Sequence, residues 1–354
     1  MPLEGENLVE NGESRLEKVR SRRKKARRIA LLVASVLVLG LAAGVGGNLL
    51  FGKPAPKSPA PSASRTTPAR SAPAAGERAR RERDPSATRF TAALAMEHTF
   101  VLSDQIGPRP AGSLKESSAA DYIVARLGEF GYTVEEQPFS TAEGFGSRNV
   151  VGTRRGTKEG YTLVIGAHYD SSPGSRGAVD DASGVGALLE LARDFSGRKL
   201  QPTLQFVFFG ANRPGMGEHQ ERLAGSRRFI DLTGSLEKKE IIGFIALDCI
   251  GQGDVLALRT QGTGLQRLKD KLSTYAAGKN VGLTYIKSTA DSDNIPFENS
   301  RIPAVWVEWC DRDGTLNTDN AYTSVSAEKV GVVGALVEGF VLDLSGEDLE
   351  ELKY

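Results

Sequence analysis

Nineteen residues, Gly166 to Gly184 (GAHYDSSPGSRGAVDDASG), constrain the fold more than any other stretch of this chain. An apolar and β-branched run, Tyr161 to Gly166, leads into them and reads as a strand buried on both faces. The strand ends at His168-Tyr169-Asp170. Side chains alternate along a strand, so His168 and Asp170 share one face and Tyr169 takes the other. A Gly- and Ser-rich loop follows, and Asp180-Asp181-Ala182-Ser183-Gly184 opens a helix. An imidazole and several carboxylates thus reach the carboxyl end of a central strand, where open α/β sheets place their ligands. Imidazole with carboxylate oxygen is a donor set that suits zinc.

Strand signals recur at Tyr132–Phe139, Asn149–Thr153, Tyr161–His168, Leu204–Gly210, Ile241–Ile250, Val255–Thr260, Leu283–Lys287 and Ala304–Cys310. Helical patterns lie at Thr88–Ser103, Leu114–Phe130, Ser183–Phe195, Leu223–Leu232, Leu265–Ala277 and Ala327–Leu344. Ser113 is placed to cap the second of these and Gly131 to end it. The alternation predicts one α/β domain over residues 86–354, a three-layer sandwich with a mostly parallel central sheet.

What precedes that domain has a different chemistry. Residues 1–28 carry nine Lys/Arg against five Asp/Glu and end in a basic run, Lys18 to Arg28. Ile29 to Phe51 holds no charge over 23 residues, roughly 34 Å of helix against a bilayer core of about 30 Å. A cleaved signal peptide is the competing reading, but its apolar region is normally only about 7–15 residues. An uncleaved transmembrane signal anchor is therefore expected. Basic residues on its N-terminal flank keep residues 1–28 cytoplasmic and export the rest. Residues 52–85 hold seven of the sixteen prolines and almost nothing large and apolar, the composition of an extended stalk. The remaining residues, with 28 basic and 36 acidic side chains, carry a formal −8, which does not resemble a nucleic-acid binder. Two cysteines, Cys249 and Cys310, imply no disulfide framework and read as small buried side chains, though a single bridge is open to them outside the cytoplasm.

His168 is one of three histidines. Asp170, Asp180 and Asp181 belong to its own strand–loop–helix unit, and Asp248 ends the apolar strand Ile241–Leu247. Four acids and one imidazole on one sheet edge repel one another unless a cation joins them. The alternative is a solvated acidic rim with Asp180 or Asp181 as a helix N-cap. Neither a Gly-x-Ser-x-Gly elbow nor a phosphate-binding Gly-x-x-x-x-Gly-Lys loop is present, and neither cysteine has an evident histidine partner. Trp306 and Trp309 either line a substrate pocket or pack in the core.

The blocks GAHYDS, GxxDDASGVGALLELA, LQFVFFGA, a Gly-Ser before a helix, IALDCIG, SDNIPF and IPAV, in that order from about Ser86 onward, resemble metallopeptidase family 28. These are the co-catalytic zinc aminopeptidases, related to glutamate carboxypeptidases and glutaminyl cyclases. The resemblance implies a zinc-exopeptidase fold. It also implies one zinc between His168, Asp180 and Asp248, with Asp170 orienting His168. The other half of the family's site departs from the pattern. Its Glu-Glu pair, general base and second-zinc ligand, falls on Asn212-Arg213, and its last ligand, in a His-Thr dipeptide, falls on Asn317-Thr318. The following segment, with Glu218, His219 and Glu221, offers substitutes for the base and the ligand.

Arg213 entering where ligands leave suggests one metal, with the guanidinium as the other cation. Two readings follow. One is a zinc aminopeptidase releasing N-terminal residues from peptides. The other is a catalytically dead homologue serving as an extracytoplasmic module for peptides or an envelope partner. Single-metal cyclase or amidase chemistry is a third, weakened because the single-zinc cyclases keep the Glu and the final His.

Overall fold

The strand ahead of His168 forms where its composition places it. In a computed structural model that describes residues 90–213, 221–288, 290, 292–316 and 320–354, β3 (Thr162–His168) is buried beyond its first residue. It lies inside an eight-stranded sheet with β1 (Thr133–Ser140), β2 (Gly146–Arg154), β4 (Thr203–Phe209), β5 (Ile241–Leu247), β6 (Val255–Thr260), β7 (Thr284–Lys287) and β8 (Ala304–Cys310). The strand order is β1-β2-β4-β3-β5-β8-β6-β7. All eight strand signals in the sequence correspond to strands of this sheet.

The sheet is mixed, which refines the mostly parallel expectation. Its centre, β4-β3-β5-β8, is parallel throughout, whereas the β1–β2, β2–β4 and β8–β6 pairs are antiparallel. The local cause is clearest at β1 and β2. Their connection is a short turn in which Thr141 N donates to Phe145 O at 2.8 Å, too short for the crossover that parallel strands require.

Helices cover both faces. They are α1 (Ala92–Phe100), which runs into a π turn at Val101–Ile106, α2 (Leu114–Glu129), α3 (Ser183–Phe195), α4 (Ala224–Leu232), α5 (Ser235–Glu240), α6 (Arg267–Gly278), α7 (Asn294–Asn299), α8 (Ala327–Asp343) and α9 (Gly346–Lys353). Ser113 caps α2 as expected, its Oγ accepting from Glu116 N at 3.0 Å, and Gly131 follows that helix at φ +81°. On one face Leu163, Ile165, Phe206 and Ile245 pack with Leu188 of α3 and Val333 and Val337 of α8. On the other, Val164, Val207, Phe209, Phe244 and Trp306 pack with Phe229 of α4 and Phe297 of α7. The Phe244 and Phe297 rings stack with centroids 3.9 Å apart. Residues alternating along β3 thus feed two separate cores, the signature of a three-layer sandwich. Three helices escaped the sequence reading. Of these, α5 and α7 span six residues each, too short to show a helical period, and α9 is largely polar.

The cytoplasmic tail, the 29–51 span and the stalk lie outside the described residues. Among the described residues no helix is long and apolar enough to cross a membrane. Cys249 and Cys310 are both buried free thiols.

Gly166 sits where β3 is most crowded. A Cβ there would fall 2.6 Å from a ring carbon of Phe209 and 2.9 Å from one of Phe244. Gly166→Ala should therefore lower the stability by about 1–3 kcal/mol, as other overpacked cores do. Thermal unfolding followed by the fluorescence of Trp306 and Trp309 reads this, and an unchanged midpoint would mean that the two rings move aside without cost.

Candidate metal centre

The strand end delivers His168 fully buried, with a carboxylate at each ring nitrogen. Nδ1 lies 3.3 Å from Asp170 Oδ1, and Nε2 lies 3.0 Å from Asp180 Oδ1 and 3.9 Å from Asp248 Oδ1. Burial works against charging this imidazole. The hydrogen bonds of Asp170 and Asp180 outweigh it and hold the group well above its ordinary range. Asp170 does more than orient the ring. Its Oδ1 also accepts from Asn212 N at 2.9 Å and its Oδ2 from Arg213 N at 2.8 Å, so one buried carboxylate ties the end of β3 to the loop after β4.

That loop brings Arg213 into the acid cluster. Its Nε and Nη2 donate to Asp180 Oδ1 at 3.0 and 2.8 Å, and Nη2 stands 3.7 Å from Asp248 Oδ2. Burial raises the Asp180 carboxyl, but Arg213 and His168 prevail and hold it well below the usual range. Asp248 Oδ2 also accepts from Ser292 Oγ at 2.8 Å, whereas Asp248 Oδ1, equally buried, has no hydrogen-bond donor among the described residues.

The paired acids Asp180 and Asp181 have separate tasks. Asp180 faces His168 and Arg213, and the side chain of Asn320 accepts its backbone N–H at 2.8 Å. Asp181 turns inward and accepts backbone N–H groups from His168, Gly184 and Cys249 at 3.2, 3.0 and 3.3 Å. The N-cap residue of α3 is Ala182, and Asp181, fully buried rather than on a solvated rim, reaches past it to the N–H of Gly184 in the first turn. Only glycine allows that approach, since a Cβ at Gly184 would lie 2.2 Å from Leu247 O.

Among the described residues two groups of three donors draw within 4.8 Å of one another: His168 with Asp181 and Asp248, and Asp180 with Asp248 and Cys249. Donors on a tetrahedral zinc stand roughly 3.3 Å apart. The 3.0 and 3.9 Å separations at His168 Nε2 bracket that spacing, and Asp248 Oδ1 is a buried acceptor lacking a donor. Asp180 and Asp248 thus stand near that spacing from His168 Nε2, while the two groups that close within 4.8 Å bring in Asp181 or Cys249 instead. The Asp180 oxygen that faces His168, Oδ1, is the one to which the Arg213 guanidinium donates, and a guanidinium repels a metal ion.

Other predicted residues fall elsewhere. Asn212 is fully buried beside this cluster, but a neutral amide has no basic oxygen. Glu221 Oε2 accepts from Ala142 N at 2.7 Å in the β1–β2 connection, and it joins neither donor group. Glu218, His219 and Asn317 lie outside the described residues. Trp306 is core, its Nε1 donating to Asp248 O at 2.9 Å, and Trp309 is half-buried under Lys329.

Sequence reasoning missed Asp293 and Arg109. Asp293, in the SDNIPF block, is buried next to Asn212 and Ser226. Burial pushes its carboxyl up to about 6, against the pull of His168, Ser226 and Asn212. Arg109 sits inside the Gly107–Ser113 turn with no periodic signal to mark it. It is completely buried and its guanidinium donates to main-chain carbonyls: Tyr169 at 2.5 Å, Arg176 at 2.6 Å, Gly177 at 2.9 Å, Leu102 at 3.3 Å and Gly107 at 3.4 Å. It thereby shapes the loop between His168 and Asp180 and places a positive charge behind Asp170, Asp180 and Asp181.

Known proteins share this fold. The signature of Peptidase family M28 matches residues 149–328, which contain His168, Asp180 and Asp248. The chain belongs to peptidase family M28. Among curated relatives, leupeptin-inactivating enzyme 1 of Streptomyces exfoliatus is 30% identical over 234 residues, covering 64% of this chain and 48% of that protein. Aminopeptidase YwaD of Bacillus subtilis is 25% identical over 209 residues, covering 56% and 44%. The chain thus spans about half the length of the curated relatives it matches. The zinc aminopeptidase BSAP from Bacillus subtilis superposes with a TM-score of 0.65 at 18% identity, over 71% of this chain and 94% of that one, a likeness of fold. Membership of M28 implies zinc as the metal.

Arg109 yields a stability test. Arg109→Met strips donors from five carbonyls, four of them on buried residues, at about 1–3 kcal/mol for each buried one left unpaired, partly offset by relaxation, so urea unfolding should show a loss of at least about 3 kcal/mol. Arg109→Lys should recover less than half, because an ammonium cannot fork between those carbonyls. Full recovery by lysine would show that charge alone, and not the fork, holds the loop.

Proposed function

We propose that this M28 domain binds peptides at a one-metal site and has lost the hydrolytic turnover of an aminopeptidase. His168, Asp180 and Asp248 would hold the ion, with Asp170 fixing His168. Bound there, zinc supplies positive charge to the acids and, wherever a coordination position stays open, a Lewis acid for a peptide carbonyl. The observation that carries this reading is Arg213 on Asp180, 2.8 Å away and within 3.7 Å of Asp248. A permanent cation there takes up the charge that a second ion would need. Asn212 supports the same conclusion, since removing a general base typically costs about 10²–10⁴-fold in rate. The uncharged 29–51 segment and the stalk would hold the domain outside the cytoplasm, where peptides or an envelope partner are its ligands.

A second reading is aminopeptidase hydrolysis, the release of N-terminal residues. Asp293 favours it, a buried carboxyl beside Asn212 pushed towards the pH range in which a general base works.

Metal analysis and turnover separate the two readings. The full-length chain in detergent, supplied with zinc, cobalt or manganese, should bind one ion and lose it in His168→Ala. No aminoacyl chromogenic substrate should turn over above the His168→Ala background. Asn212→Glu with Arg213→Glu and Asn317→His should bind a second ion and gain activity. Two ions on the natural chain would refute the one-metal site, and turnover that vanishes with His168→Ala would establish the aminopeptidase.

A further inference from the structure

Charge is not spread evenly over the folded domain. Residues 86–354 hold 28 basic and 36 acidic side chains, a formal −8. Yet one cavity of about 630 Å³ is lined, among the described residues, by Lys238, Lys239, Arg267, Arg301 and Lys353 against a single acidic side chain, Glu240. Lys238 and Lys239 belong to α5, which leads straight into β5, and Arg301 stands just ahead of β8. Arg267 opens α6 and Lys353 ends α9. The cavity therefore lies at the amino ends of β5 and β8, on the sheet edge opposite Asp248.

These cations are not balanced from within the fold. Lys238, Lys239, Arg267 and Arg301 have no ion pair among the described residues, and Lys353 donates to a carbonyl, Gly160 O, at 2.9 Å. The neighbouring acids of α9 are engaged elsewhere: Asp348 and Glu351 with Lys271, and Glu350 with Lys158. A second observation bears on the kind of partner. Leu236 and Tyr354, on the same lining, are 77% and 81% exposed. Unbalanced positive charge beside exposed apolar side chains is the combination that binds an anionic membrane surface.

We propose that this face docks on an anionic lipid bilayer, its lysines and arginines donating to lipid phosphates while Leu236 and Tyr354 enter the headgroup boundary. The proposal rests on the reading above that tethers the domain beside a membrane, and it does not depend on the metal. Free phosphate could use the same donors, but it gives the two exposed apolar side chains nothing to bury against. Docked in this way, the domain turns the carboxyl ends of β3 and β5 away from the lipid. His168 and Asp180 then face the medium from which peptides arrive.

The full-length chain reconstituted into nanodiscs tests this. In discs of equal phosphatidylglycerol and phosphatidylcholine, the amides of α5 should exchange hydrogen at least about tenfold more slowly than in pure phosphatidylcholine discs, since each Lys or Arg near an anionic surface contributes about 1 kcal/mol, roughly fivefold. Acylation of Lys238 and Lys239, mapped by mass spectrometry, should slow in parallel. Salt at about 1 M should abolish both effects, because the screening length falls to about 3 Å. Lys238→Glu with Lys239→Glu should abolish the amide protection and leave exchange in β3 and β5 unchanged. Equal exchange and acylation in the two kinds of disc would overturn the docking while leaving the anchor standing, as co-elution with the disc reports. Protection that inorganic phosphate reproduces in pure phosphatidylcholine discs would assign the cavity to a soluble anion and overturn the membrane face. A chain that enters neither disc would sink the tethered reading and this proposal together.

Discussion

One carboxylate holds the site together. Asp170, buried at the end of β3, accepts both main-chain N–H groups of Asn212 and Arg213 and also lies against His168 Nδ1. Three contacts on two oxygens lock the imidazole to the loop that carries the guanidinium. They also set the distance between the two positive groups serving the acid cluster. Asp170 is two residues past His168, the last residue of β3 paired with β4, so its position follows from that register. Because the anchor belongs to the main chain, residues 212 and 213 can change identity without moving that loop.

That separation of scaffold from side chain explains how an M28 domain can carry Asn212 and Arg213. The buried sheet, the N–H bonds to Asp181 and the Arg109 clamp depend on backbone atoms. The chemistry depends on whatever side chains project from that frame. Arg213 is a consistent substitution in electrostatic terms. Acids brought together at the carboxyl ends of β3 and β5 need positive charge, and a guanidinium delivers it with two N–H donors on Asp180.

Much of the architecture was legible in the sequence because its causes are local. Apolar runs marked the central strands β3, β4, β5 and β8, and Ser113 marked the start of α2. The residues around His168 were legible as chemistry because a strand fixes which side chains share a face. What escaped has no short-range signal. The antiparallel β2–β4 and β8–β6 pairs join strands distant in sequence, whereas the β1–β2 pair follows from its short turn. The helix α7 exists through the packing of Phe297 on Phe244. Arg109 is identified by five carbonyls that only the folded chain gathers, and Asp293 by its burial next to Asn212.

The sequence by itself determined the chain's composition classes and its strand–loop–helix core. It also determined the presence of His168, Asp170, Asp180 and Asp248 at strand and helix ends, since periodicity and motif spacing act over a few residues. Only the tertiary structure decided which of the paired acids faces the imidazole, that Arg213 bonds to Asp180, and that Cys249 comes close to Asp180 and Asp248. Those outcomes depend on how β3, β4 and β5 are placed side by side. Neighbours in a sheet are fixed by pairing over dozens of residues, and no local pattern encodes the distances between them.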